Sequence, residues 1–82
     1  MSDSPSDLDL LRRLRGGDEE AFVALYWRRQ GGVYRFALQM CGSEAVAEDV
    51  VQEVFVALMQ DSGNFDPERG SLAAYLYGMA RN

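Results

Sequence analysis

Residues 43–60 read SEAVAEDVVQEVFVALMQ, a run with no glycine, no proline and no basic side chain. Ser43 follows Gly42 and carries the short hydroxyl that accepts from the free amides of a helix's first turn, so it stands as an N-cap. At about 100° per residue, Ala47, Val50, Val51, Val54, Phe55 and Leu58 fall on one broad side. Asp49, Gln52, Glu53, Val56 and Gln60 gather in a narrow sector opposite. The segment therefore predicts an amphipathic helix with one flank in a core. Its other flank shows carboxylates, amides and an aliphatic side chain but no cation. Two readings of that flank stand side by side: an ordinary solvated face, or a docking face for a basic partner surface.

Upstream, Ser6 and Asp7 start a short helix in which Leu8, Leu11 and Leu14 repeat at helical spacing. Arg12, Arg13 and Arg15 crowd its last turns, where cations suit the helix dipole, and Gly16-Gly17 stops it. Asp18 caps a second helix with Glu19 and Glu20 in the acid-favouring first turn. Phe22, Leu25, Tyr26, Val33, Phe36, Ala37 and Met40 continue its seam to about residue 41. Gly31-Gly32 interrupts that seam, and each glycine costs about 1 kcal/mol against alanine inside a helix. The pair can bend the helix, split it, or be tolerated. The seam is in phase on both sides, which favours one continuous helix with a weak point. Trp27 leaves the seam and reads as a partly covered packing residue.

Downstream, DSGNFDPERG (residues 61–70) concentrates turn chemistry in Gly63, Asn64, Asp66-Pro67 and Gly70 and reverses the chain. Phe65, its one large apolar residue, either pins the loop to the core or walls a pocket. Ser71 caps a last helix with Leu72, Leu76 and Met79 inward and Ser71, Tyr75, Gly78 and Asn82 on a different side. Four helices with short connections and no strand pattern predict an all-α fold, a compact bundle.

A chain of 82 residues holds one domain, and 48% hydrophobic with 26% charged residues excludes a disordered composition. The polar, acidic start, residues 1–6, is expected to be disordered, leaving residues 7–82 as the helical domain. No apolar run nears the roughly 20 residues that cross a bilayer, and no signal-peptide core is present, which predicts a cytoplasmic protein without membrane insertion. A single cysteine, Cys41, agrees with a reducing compartment and reads as a small, half-buried apolar residue. All eight cations are arginines, and none lies between residues 36 and 68, where seven acids occur. With a net charge of −5, bulk phosphate affinity is not what the chain offers.

The usual chemistry of enzymes is missing. There is no histidine, one cysteine makes no zinc site, and the acids fit no calcium loop, so neither a metal nor a cofactor is expected. Asp49 and Glu53 form an i,i+4 acidic pair without a pocket-forming partner motif, which argues against catalysis.

The series LLRRLRGGDEEAF (10–22), VYRFAL (33–38), AEDVVQEVFVAL (47–58) and FDPERGSLAAYLYGMARN (65–82) resembles region 2 of bacterial sigma factors of the extracytoplasmic-function group. The resemblance runs from Asp7 onward. Its specificity lies in the order: a D-x-x-Q-E-x-F block, then an F-D-P-E-R-G-S loop, then a Y-L-Y-x-x-A-R-N helix. It implies that the third helix docks on the basic clamp helices of the largest subunit of core RNA polymerase. Asp49, Gln52 and Glu53 match that motif, and Val56 shares their face; charge-assisted hydrogen bonds from arginines account for the carboxylates and amide there.

The resemblance also implies recognition and melting of the promoter's minus-ten element, with a non-template-strand base flipped into a loop pocket. Extrusion costs a few kcal/mol, which pocket contacts and stacking must offset. Asn64, Phe65, Asp66, Arg69 and Ser71 fall on that loop, and Tyr75, Tyr77, Arg81 and Asn82 on the helix beside it. Tyr75 and Tyr77 also have a packing reading, and Arg69 a salt-bridge reading with Asp66 or Glu68. Gly78 stands where the family usually has a basic residue, and Tyr75 replaces its usual tryptophan, which weakens DNA contact on this helix or displaces it to other arginines. The chain ends before the family's C-terminal helix-turn-helix domain, as a fragment would, and is expected to bind duplex DNA poorly alone. The family implies a second partner, an anti-sigma factor covering the same surfaces. Two rival readings are a sigma-like module that binds protein without melting promoters, for which Gly78 speaks, and a small-molecule enzyme on a helical bundle.

Overall fold

The first helix opens on a reciprocal cap: the Ser6 hydroxyl accepts from the Asp9 amide at 3.1 Å, and the Asp9 carboxylate accepts from the Ser6 amide at 3.3 Å. In the computed structural model, which describes residues 4–61 and 65–81, four helices follow: α1 (Asp7–Arg15), α2 (Glu19–Cys41), α3 (Glu44–Asp61) and α4 (Leu72–Arg81). There is no strand among the described residues, so the fold is the all-α bundle that the pattern predicts. Of the start expected to be disordered, residues 1–3 lie outside the described residues, and Ser6 is the α1 cap.

The other starts follow the same local chemistry. Asp18 accepts from the Glu20 amide at 3.0 Å, Ser43 from Val46 at 3.3 Å and Ser71 from Ala74 at 3.1 Å. Gly42 ends α2 in the left-handed region, φ 68°, where a side chain would be strained.

The long helix α2 is the keel. It packs against each of the other three helices, and α3 also packs on α4. At 1.5 Å per residue its length is about 35 Å, which matches the longest dimension of the molecule, 35 Å. Leu10 and Leu11 of α1, Leu25 and Val33 of α2, Leu58 of α3 and Leu76 of α4 are sealed within the resulting core. Truncating one such leucine to alanine costs about 2–5 kcal/mol. On α3, Ala47, Val51, Val54, Phe55 and Leu58 are buried and Val50 is half-buried, as the period predicts.

Helix α2 runs unbroken through Gly31-Gly32, and the reason lies in another helix. A Cβ on Gly32 would stand 2.7 Å from the Tyr77 hydroxyl oxygen. The Tyr77 ring is tilted over Phe36 at 5.1 Å, so α4 reaches α2 through the gap that Gly32 leaves.

Three expectations are corrected. Trp27 is 69% exposed: its neighbour Tyr26 takes the inward place against Phe55, and one step along the helix turns Trp27 away by about 100°, where it stands roughly perpendicular to the Tyr26 ring. Met40 is exposed rather than in the seam, and Cys41 is exposed rather than half-buried. The last buried side chain of α2 is Ala37 and the first of α3 is Ala47, so the intervening turn stands clear of the core.

Candidate functional site

Two surfaces gather the residues singled out by sequence. The first is the outer flank of α3. Because its opposite flank is buried, Asp49, Gln52, Glu53 and Val56 all point outward, with Val56 52% exposed. Among the described residues none forms an ion pair with Asp49 or Glu53, so both carboxylates remain available to an incoming cation. Gln52 continues into a cleft of about 410 Å³ between α2 and α3, where Tyr26, Gln30, Tyr34, Glu48 and Val51 meet it. The Tyr34 phenol is pushed above its ordinary value, first by partial burial and then by the carboxylates of Glu44 and Glu48 and by Cys41. This corner carries negative potential, as the arginine-free stretch implies.

The second surface is the loop before α4. Phe65 is 6% exposed and belongs to the core, yet its ring also forms the floor of an open pocket of about 520 Å³. Tyr75 leans on it with ring centres 5.3 Å apart. Asp66, Arg69 and Ser71 make the rim, with Gly70 and Ala74 between them. The size falls within the roughly 300–1,000 Å³ of small-ligand sites. The rim is shaped by Asp66, which accepts from the Glu68 amide with a side-chain oxygen and from the Arg69 amide with its carbonyl, both at 3.0 Å. Its other carboxylate oxygen stands 3.9 Å from the Arg69 guanidinium, whose side chain is 88% exposed. Such a pair is held loosely in water, and Arg69 can turn toward an anionic ligand at little cost. The arrangement offers one aromatic wall, a mobile cation and carboxylate and hydroxyl acceptors. No metal-holding cluster occurs among the described residues.

Phe65, Asp66, Arg69, Ser71 and Tyr75 are thus brought together. Two others are not. Tyr77 turns toward Phe36 and Gly32 on α2, and Arg81 lines a separate cleft with Glu53 and Met79 at the α3–α4 edge. Asn64 and Asn82 lie outside the described residues. One contributor was missed by sequence reasoning: Arg15 of α1 donates to the Phe65 carbonyl at 2.8 Å across 50 residues. Read locally, Arg15 was only a helix-end cation, and nothing within its own helix signals the contact.

Known proteins give a consistent picture. The family model described as Sigma-70 region 2 matches residues 25–82. The chain is 33% identical to the ECF RNA polymerase sigma factor BldN of Streptomyces coelicolor over 99% of its own length and 31% of that protein. It is 34% identical to the ECF RNA polymerase sigma factor SigK of Mycobacterium tuberculosis H37Rv over 92% of its own length and 41% of the relative. The chain therefore spans about a third to two fifths of these relatives. No solved structure matches it.

Proposed function

The chain belongs to the Sigma-70 region 2 family, and from that premise we propose that it acts in transcription initiation, as a non-enzymatic domain that docks on core RNA polymerase and holds opened promoter DNA. The observation that carries the docking half is the two-sided character of α3. One flank is buried in the bundle, and the other exposes Asp49, Gln52, Glu53 and Val56, with no ion pair to either carboxylate among the described residues. The partner surface is the pair of basic clamp helices of the largest polymerase subunit. Arginines there complete hydrogen bonds to Asp49 and Glu53 that no cation among the described residues supplies. The loop pocket receives an unstacked base of the minus-ten element's non-template strand, with Phe65 and Tyr75 as the aromatic wall and Arg69 near the phosphates. An anti-sigma factor covering these same two surfaces would block both docking and base capture.

The test of docking is Asp49→Arg. Reversing one charge in a close pair is expected to weaken calorimetric binding to a clamp-helix fragment by at least tenfold. Stability should stay within about 0.5 kcal/mol, because the Asp49 side chain is exposed. Undiminished affinity refutes the docking assignment.

The second reading, a module that binds polymerase without melting promoters, has one observation in its favour. Nothing lies within 4 Å of where a Cβ on Gly78 would be, so packing does not demand the glycine that stands in place of a basic residue. Retention on clamp helices without capture of single-stranded DNA selects that reading.

A further inference from the structure

Helix α1 lies outside residues 25–82, yet it touches the loop that shapes the pocket. Its C-terminal end gives Arg15, whose guanidinium donates to the Phe65 carbonyl at 2.8 Å. At its N-terminal end Asp7 is gripped by two arginines of α2, Arg28 at 2.9 Å and Arg29 at 2.6 Å, and only 16% of the Asp7 side chain is exposed. Asp7, Leu8 and Arg29 then line a cleft together with Pro67 and Gly70 of the same loop. The loop thus runs along α1, fastened at Phe65 and flanked at Pro67 and Gly70, while α1 is itself fastened to the keel.

We propose that Arg15 is a positioning residue of the loop pocket, and that α1 is the brace that sets the pocket's register; the proposal rests on the reading that the pocket takes an unstacked base. Phe65 is the floor of the pocket, and its carbonyl is the last backbone group before Asp66 begins the rim. A charged donor fixes that carbonyl more firmly than a neutral one, and without it a part-buried acceptor loses its partner. Fixing the carbonyl fixes the ring, and with it the gap between Phe65 and Tyr75 on one side and Arg69 on the other. Arg15 need not touch DNA to act.

The test uses the 82-residue chain with Arg15→Gln and Arg15→Lys, followed by amide spectra of Asp66, Glu68, Arg69 and Gly70. A fluorescent pool of random-sequence single-stranded DNA, retained on the complex with core polymerase, reads the pocket. Arg15→Gln should move those amides and lower retention by about tenfold, the effect of losing one charge-assisted bond. Polymerase affinity should not change, and Arg15→Lys, which keeps a cationic donor, should recover most of the retention. Unmoved amides overturn the proposal, and so does an equal fall in polymerase affinity, which marks general loss of structure. If the parent chain binds polymerase and retains no DNA, the pocket reading falls and the amides alone decide whether Arg15 registers the loop. Should Arg15→Gln fail to fold, Arg15→Met, which keeps the aliphatic stem and removes the donor to the Phe65 carbonyl, carries the same readouts.

Discussion

Alanine at Gly31 is expected to stabilise the protein and alanine at Gly32 is not, although the two glycines are adjacent in one helix. The helix-propensity gain is the same for both, about 1 kcal/mol. At Gly31 the new Cβ would meet only the Arg35 guanidinium tip at 3.4 Å, and that flexible side chain can move aside. Gly31→Ala should therefore keep its gain and raise Tm by about 4–8 °C for a domain of this size. At Gly32 the new Cβ would stand 2.7 Å from the Tyr77 hydroxyl oxygen, a distance that real atoms do not tolerate. Tyr77 cannot swing away freely, because its ring lies against Phe36. Overpacking of this kind costs about 1–3 kcal/mol, so Gly32→Ala should end between neutral and about 2 kcal/mol destabilised. The decisive variant is Gly32→Ala in a Tyr77→Phe background. With the hydroxyl gone, the nearest ring atoms to the new methyl stand at 3.8 and 3.9 Å, ordinary contact distances. There the alanine should recover its stabilisation of about 1 kcal/mol. Chemical denaturation of the four chains of this double-mutant cycle gives a coupling of about 1–3 kcal/mol. Equal stabilisation by both alanines in the parent chain, or zero coupling, would refute the account of why α2 tolerates its glycines.

Three other outcomes follow from the same geometry. Phe65→Ala should lower unfolding free energy by about 3–5 kcal/mol, since the ring is a core member as well as the pocket floor; urea titration reads it. Asp7→Asn should cost about 1–2 kcal/mol by removing the charge that Arg28 and Arg29 share, with the difference from the parent shrinking in high salt. Folding raises the Tyr34 phenol above its ordinary value of 10.0, by partial burial and then by Glu44, Glu48 and Cys41. Its contribution to stability is therefore complete below that value and lost as pH climbs through the raised one. Glu48→Gln should lower the phenol part of the way, since burial and Glu44 remain, which alkaline titration of phenolate absorbance will detect.

The parts of the fold legible in the sequence are those decided within a few residues. Ser6, Asp18, Ser43 and Ser71 announce four helix starts because an N-cap bonds to amides two or three positions on. The buried side of α3 is legible for a similar reason, since one helix's period places Val51, Val54, Phe55 and Leu58 together. What the sequence hides depends on partners far along the chain. Leu10 is sealed while the expected seam residues Leu8 and Leu14 are half-buried, because the direction from which α2 approaches decides the matter. Trp27, Met40 and Cys41 are exposed for the complementary reason that no helix arrives to cover them. The pocket was half legible. Its floor and rim lie on one turn-rich stretch, whereas Arg15 reaches it from 50 residues away, and Tyr77 is diverted by a glycine on α2.

The uncovered corner between α2 and α3 has a practical side. Cys41, the sole sulfhydryl of the chain, stands there in solvent, so a maleimide dye can be attached at one defined point without disturbing a packed residue. The label would sit at the α3 end that leads into the outward strip, where an approaching macromolecule alters its emission. The same openness means that, left without reductant, two molecules can join through that sulfur, and a covalent pair on a gel then reports air exposure rather than biological assembly.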